Sequence, residues 1–507
     1  MYESRAKLSH HINTQNNKIT KMIKENMPTS TPNKLSVEKI GGTSMSDYNA
    51  VKDNIVLYPE SPYQRIIVVS AYGGVTDDLL EHKKSGKPGV YGLFANDDTD
   101  ANWQVALNEL ADKLNEINAS LFDDPALLVK ANSFINLRIK ETEQLLTYLQ
   151  DLCTHGHFSL DNHLLTVREL LASLGEAHSA WNLTHLLQAE GINSQFIDLT
   201  GWKTDAPLSL DEMIQQQLSD INFENVLPIV TGYTHCTENL MKTYDRGYSE
   251  MTFSRIAVLC QASEAVIHKE YHLSSADPRL VGEENVVPIG KTNYDIADQL
   301  ANLGMEAIHP KAAKGLRQAQ IPLRIKNTFE PEHHGTLISE GYTSTSPQVE
   351  IIAGLQRLIA VEIFDQDMMG EQCFYEQAIL NITQRLGCDL INKDFNANTI
   401  TLYLNDSLKK VNRLKQQLQN KLPTASIQTS KVALACAMGS DMRIKGFLST
   451  AVQSLYKNGI NIEAIHQNTR QVEMQFYVSE NDYEKTINTM HENLVAIHNH
   501  GSAICKH

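Results

Sequence analysis

The chain has 507 residues, with 44 Lys and Arg against 60 Asp and Glu and a formal net charge of −16. One hydrophobic core rarely serves more than about 250–300 residues, so several units are expected, and the acidic balance excludes a broad nucleic-acid surface while leaving room for a local cationic pocket. Seven cysteines (Cys153, Cys236, Cys260, Cys373, Cys388, Cys436 and Cys505) are scattered without a C-x-x-C pair, and no apolar run approaches the roughly 20 residues of a membrane helix, so a reducing, cytoplasmic location is expected.

Residues 1–34 are polar, carry six Lys/Arg against two Asp/Glu and lack the apolar stretch of a signal peptide. They read as a disordered N-terminal extension, with Met27 as an alternative start. From Val37 onward apolar, strand-like runs alternate with helical patterns, which predicts an α/β domain with a mainly parallel sheet. The first run, "VEKIGGTSMS" at 37–46, ends in a turn of small polar residues after Lys39. Gly41 and Gly42 would let backbone N–H groups approach a phosphate, and an ammonium beside them would neutralise charge that builds in phosphoryl transfer. A lysine beside a turn is otherwise a solvated charge, so the motif needs support from elsewhere.

That support comes further along the chain. "RIIVVSAYGG" at 65–74 is a buried strand leading to a second small-residue loop with Ser70, Gly73, Gly74 and Thr76. Residues 78–172 are charged and helix-prone; "NLRIKETEQLLTYLQDL" has apolar residues at helical spacing and reads as scaffold. "LLASLGEAHSA" places Glu176 ahead of a helix predicted to start near Ala177, where an acid would also suit the helix dipole without any other role. "INSQFIDLTGW" and "VLPIVTGY" are two further strands ending in small polar residues. Ligands collect at the carboxyl ends of such strands, so four loops are predicted to line one crevice. "TYDRGYSEMT" then presents Arg246, Ser249 and Glu250, and "SSADPRLV" sets Asp277 and Arg279 in a tight turn.

Two stretches are decoys. "PIGKTNY" ends like a phosphate-binding P-loop, but Asn285 stands where its first glycine belongs. Cys153, His155, His157 and His163 cluster without the paired spacing of a zinc site and read as surface. "TLISEGYTSTSPQ" at 336–348 reads as a linker. After it, two segments share one plan of strand, Asp-Met turn, amphipathic helix and strand, which suggests paired small-molecule sensor units.

In this order the elements resemble aspartate kinase of the amino acid kinase superfamily. "EKIGGTSM", "SAYGGVTD", "SLGE", "ADPR", "GMEAIHP" and "IPLRIKNTFEPEHHGTLI" carry the resemblance, and the C-terminal repeats are similar to that family's tandem ACT domains. The resemblance implies a three-layer kinase domain at 35–340 followed by two ferredoxin-like ACT units at 350–425 and 430–500. It implies transfer of the ATP γ-phosphate, delivered as a Mg²⁺ complex, to the side chain of L-aspartate. Lys39, with Gly41, Gly42, Thr43 and Ser44, would contact the phosphates. Ser70 and Thr76, with Ser249 and Glu250, would lie along aspartate; Glu176 would meet its ammonium and Arg246 its α-carboxylate. Asp277 and Arg279 would sit by the nucleotide. An amino-acid effector would bind Gly439, Asp441 and Asn461, and the ACT units would build a homodimer or homotetramer.

The chain departs from the family pattern where Tyr248 replaces a glycine, Glu250 an aspartate and Glu306 a lysine, and where "HKEYHLS" at 268–274 replaces a nucleotide-side motif. Asn468 and Thr469 stand where the effector site often has Ser-Glu. These changes resemble the divergent aspartate kinase branch associated with ectoine synthesis and predict weak or absent inhibition by lysine and threonine. A catalytically weak amino-acid sensor and a kinase for another carboxylate are the rival readings.

Overall fold

The computed structural model describes residues 34–83, 85–96, 102–203, 208–244, 247–305 and 307–495. The N-terminal extension expected at 1–34 therefore lies outside the described residues except for Lys34, as do Arg246, Glu306 and Cys505. None of the described helices is long and apolar enough to cross a membrane.

The first sheet has eight strands: β1 (Ser36–Ile40), β2 (Arg65–Val69), β3 (Ser194–Ile197), β4 (Leu227–Thr231), β5 (Glu264–Lys269), β6 (Lys291–Asn293), β7 (Leu323–Asn327) and β8 (Thr336–Ser339). Their order is β3-β4-β2-β1-β5-β7-β8-β6. Every pairing is parallel except β7 with β8. Both faces of β2 are buried, which is why its sequence is continuously apolar rather than alternating. β8 overturns part of the expected linker, because residues 336–339 are hydrogen-bonded between β6 and β7 and the free connection begins only after them. Helices Asn102–Leu121 and Pro125–Cys153 pack together beside the sheet. Asp124 caps the second helix with Pro125 in its first turn, the arrangement a helix start favours.

The second sheet is antiparallel: β9 (Ile351–Phe364), β10 (Leu390–Phe395), β11 (Thr399–Leu404), β12 (Ser426–Met438), β13 (Ile462–Gln467) and β14 (Glu473–Ser479), in the order β10-β11-β9-β12-β14-β13. The repeat suggested two units in succession, but the hydrogen bonding interleaves them. The far half of β9 pairs with β11 and with the first half of β12, whereas Ile351–Leu355 lies beside Leu434–Met438, next to β14. The two long strands are therefore shared.

The core of the β13–β14 half is continuous with the segment between β5 and β6 around the "ADPR" turn. Leu273, Ala276, Val281 and Ile289 belong to the same buried cluster as Leu434, Phe476 and Ile487. Ile352 N–H donates to Ser275 O at 2.7 Å, and Ser275 Oγ meets His491 Nε2 at 2.9 Å.

Candidate active site

β1, β2 and β4 are neighbours running in one direction, so their carboxyl ends open side by side. β3, at the sheet edge, turns instead into Asp198 and Thr200, which are bonded to each other and to Arg138.

Lys39 is the fourth residue of β1 and only 6% exposed. Gly41 caps the short helix Gly42–Met45, and its N–H donates to His268 O at 3.1 Å, fastening the turn to the end of β5. Thr43 is exposed, while Ser44 is buried and its Oγ accepts from Thr328 Oγ1 at 2.8 Å. Ser70 follows β2 with its N–H on Ile40 O at 3.1 Å, and Ser46 Oγ accepts from Gly73 N–H at 2.9 Å, so the first and second loops are joined directly. Thr76 is half-buried in the helix Val75–Leu79 behind them.

Glu176 lies in the middle of the helix Leu164–Ala189, not before a helix start near Ala177. Gly175 does not break that helix. A Cβ there would stand 2.6 Å from Ala71 Cβ, so the missing side chain lets the helix press against the second loop, which offsets the roughly 1 kcal/mol that glycine costs in a helix. The same contact carries Glu176 to the crevice. Ser179, one turn on, donates to Ser70 O at 2.8 Å.

Burial pushes the Glu176 carboxyl up to about 8, against the opposing effects of a hydrogen bond from Tyr248, attraction by Lys39 and a backbone hydrogen bond from Tyr233. Its Oε2 is buried without a hydrogen-bond partner. Lys39 and Glu176 thus come together, and Ser249 joins them through the close approach of Gly232, where a Cβ would stand 2.8 Å from Ser249 Cβ and 3.4 Å from Glu176 Oε1. Glu250 turns elsewhere: its carboxylate accepts the His309 N–H at 2.5 Å and anchors the helix Pro310–Gln318.

Other predicted residues are not brought to this crevice by any described contact. Asp277 caps the turn Pro278–Val281 and holds Arg279 in a two-point ion pair, while the Arg279 side chain is 81% exposed. That turn packs on the helix Tyr483–Met490 of the second sheet. At the expected effector turn, a Cβ on Gly439 would stand 2.2 Å from Gln348 O. Asp441 is clamped by Arg443 at 2.9 and 2.7 Å, and Asn461 is exposed.

Sequence reasoning noted Tyr248 only as a departure from glycine; it is buried at the start of its helix, edge-on to Tyr233. It also missed the ion cluster on the opposite side of β1. Successive strand residues face opposite ways, so Glu38 points away from Lys39. Glu38 accepts two bonds of 2.6 Å from Arg65, one of 2.8 Å from His268 and one of 2.9 Å from Ser36. These contacts hold its carboxyl well below the ordinary 4.5 despite complete burial, and burial lowers His268 in turn. A cavity of about 260 Å³ beside the cluster is lined by Arg324 and Lys326 among others.

Residues 34–327 match the amino acid kinase family and residues 436–494 the ACT domain. Aspartate kinase Ask_Ect of Stutzerimonas stutzeri is 51% identical over 472 residues, covering 92% of this chain and 99% of its own. The aspartokinase of Saccharomyces cerevisiae is 25% identical over 526 residues, with 92% and 94% covered. Among solved structures, E. coli aspartokinase III in complex with aspartate and ADP shares the fold with a TM-score of 0.68 and 18% identity, over 91% of this chain and 99% of that one. A family match across residues 34–327, together with a 51% identical relative aligned over nearly its whole length, shows that this chain belongs to the amino acid kinase family, among its aspartate kinases.

Proposed function

We propose that the protein transfers the γ-phosphate of ATP to the side-chain carboxylate of L-aspartate, giving 4-phospho-L-aspartate and ADP, and that this product feeds ectoine synthesis. The observation that carries the reading is that buried Glu176, whose Oε2 has no hydrogen-bond partner, feels the charge of buried Lys39 where β1, β2 and β4 end. The 51% identical relative named Ask_Ect supports the ectoine link.

The chemistry needs no general base. The substrate carboxylate, with an ordinary value of about 3.9, is already ionised at neutral pH. One of its oxygens attacks the γ-phosphorus while the bond from phosphorus to the β,γ-bridging oxygen breaks, and ADP leaves with that electron pair. The obstacle is an anion attacking a polyanion, so positioned positive charge is the main catalytic device. Lys39 and the backbone N–H groups that open the helix Gly42–Met45 supply it. Glu176 receives the ammonium of aspartate, Ser70, Thr76 and Ser249 border the substrate, and Arg246 takes the α-carboxylate. Mg²⁺ enters as the counter-ion of ATP. The reading also places the protein in the cytoplasm as a homo-oligomer built through its ACT sheet.

ATP consumption across a panel of amino acids, with hydroxylamine to trap an acyl phosphate, tests the reading. Hydroxamate is expected with L-aspartate; none with aspartate, or more with another carboxylate, overturns it.

The raised carboxyl of Glu176 yields a pH prediction. Only its ionised form pairs with an ammonium, so kcat/KM for aspartate should climb by about tenfold per unit below pH 8 and level off above it. Binding at pH 7 should release a proton, measurable by calorimetry in buffers of different ionisation enthalpy. Glu176→Gln should flatten the slope and raise the aspartate KM by about tenfold or more, the worth of a charged hydrogen bond. A wild-type KM and slope in this variant would remove Glu176 from the site.

The covered effector turn yields another. Gln348 N–H donates to Asp441 O at 2.8 Å, and Ser440 donates to buried Glu350, so an amino acid bound there would have to displace the connection between the two sheets. Lysine and threonine, singly or together, are expected to leave initial rates unchanged at about 1 mM, where binding would be worth about 4 kcal/mol. Half-inhibition at or below that concentration contradicts this.

A further inference from the structure

The sheet face opposite Lys39 gathers charge that phosphoryl transfer does not use. Glu38 points to that face, and the cavity of about 260 Å³ beside it is lined by Arg65, Arg324 and Lys326 against Glu38 and Glu264. Three fixed cations against two carboxylates leave one positive charge, in a chain whose net charge is −16. The ion pairs show which cation is left over. Arg65 donates through Nε and one terminal nitrogen to Glu38, and through the other to Val56 O at 3.2 Å. Arg324 is held the same way, by Glu264 at 3.0 and 2.7 Å and by His334 O at 3.0 Å. Lys326 differs. Among the described residues no carboxylate forms an ion pair with its ammonium, which donates to Pro331 O at 3.3 Å and lies 5.5 Å from the centre of the Tyr58 ring. The residue is half-buried, and burial lowers its ammonium below the ordinary 10.5 against the attraction of Glu38. An ammonium carries three donors, and one that is partly desolvated with donors to spare attracts an anion more strongly than one in open water.

We infer that this cavity is a binding site for a small oxyanion, a carboxylate or a phosphate group, held by the Lys326 ammonium. Its volume lies below the roughly 300–1,000 Å³ of sites for drug-sized ligands, so the occupant is a small acid or a phosphate and not a nucleotide. The two arginine forks that could grip a carboxylate at two points are already filled by Glu38 and Glu264, which leaves lysine, a compact charge with rotatable donors, as the anchor. The site is separate from the phosphate-side turn yet tied to it. Asn54, on the cavity wall, donates to Thr328 O at 2.9 Å, and Thr328 Oγ1 donates to Ser44 Oγ at 2.8 Å in the helix Gly42–Met45. A ligand here would bear on that helix from behind without entering the crevice of Lys39. The site does not depend on the aspartate kinase reading.

The test is calorimetric titration of the full-length protein at constant ionic strength, with inorganic phosphate and separately with acetate, on wild type, Lys326→Gln and Lys39→Ala. Wild type should bind at least one of the two with a Kd of about 1 mM or tighter, the scale of a few charged hydrogen bonds. Lys326→Gln, whose amide can still donate to Pro331 O, should weaken that binding by at least about tenfold, the worth of one charged hydrogen bond. Lys39→Ala should leave it within about twofold, because the two lysines lie on opposite faces of the sheet. Should Lys326→Gln fail to fold, Lys326→Met takes its place, since it keeps the length of the side chain and removes the charge. Binding of phosphate only assigns a phosphate group, of acetate only a carboxylate, and of both a site that reads charge alone; each supports the inference. No binding of either ion up to about 20 mM, or equal binding in a folded Lys326 variant, overturns it. Complete loss of binding in Lys39→Ala also overturns it, by moving the ion to the phosphate-side turn.

Discussion

Lys39→Ala is expected to remove turnover by about 10² to 10³ while leaving the fold in place, the usual effect of losing one positioned donor to charge that develops in a transition state. The side chain is buried at the end of β1, where the loops after β1 and β2 are joined by Ser46 and Gly73. Those backbone and Ser46 contacts do not involve the Lys39 ammonium, so the turn should keep its shape when the amine is gone. Glu176 would lose an attraction that favours its charged form, so the aspartate KM should rise as well. Circular dichroism and unfolding curves check the fold, and initial rates at saturating ATP and aspartate check the chemistry. A folded variant with more than half the wild-type activity refutes the role of Lys39.

Glu38→Ala should be the most destabilising single change, at about 3–5 kcal/mol, because it strands the buried Arg65 guanidinium without its carboxylate. Arg65 would keep only the Val56 carbonyl at 3.2 Å, and His268 would lose its imidazole partner. His268 carries the carbonyl that receives Gly41 N–H, so the phosphate-side turn should loosen with the cluster. Urea unfolding measures the loss, and a change under about 1 kcal/mol would show the cluster to be dispensable. The same group sets a pH dependence. Its folded value lies well below 4.5, so the stabilisation is fully present above that ordinary value and is lost as pH falls toward the folded one. Wild-type stability should fall on acidification, and Glu38→Gln should lose that part of the slope.

The interleaved sheet gives the two halves of the molecule a physical link. Ser275, beside the "ADPR" turn, bonds both to the backbone of Ile352 and to the side chain of His491, and the surrounding core crosses from one sheet to the other without a break. Asp277 and Arg279 sit on this junction.

Local pattern was enough for some of this protein. Apolar runs mark β2 and β4, since a strand buried on both faces is mostly apolar and its exit must turn sharply, whereas β1 buries Glu38 and Lys39 and is marked by the glycines and hydroxyl residues that follow it. It was the resemblance to aspartate kinases, not the local pattern, that named Lys39, Gly42 and Glu176 together. Four things required the tertiary structure. Glu176 sits mid-helix because Gly175 packs on Ala71, and no local signal distinguishes a packing glycine from a breaking one. The pairing of Ile351–Leu355 with Leu434–Met438 joins segments about eighty residues apart, which no repeat reveals. Whether the turn at Gly439 and Ser440 is open or covered depends on Gln348 and Glu350, which lie far away in the chain. Whether a tyrosine in place of a glycine stays in solvent or joins the core depends on the space around it, and here Tyr248 is buried edge-on to Tyr233, because an aromatic ring gains from burial only where its neighbours fit it.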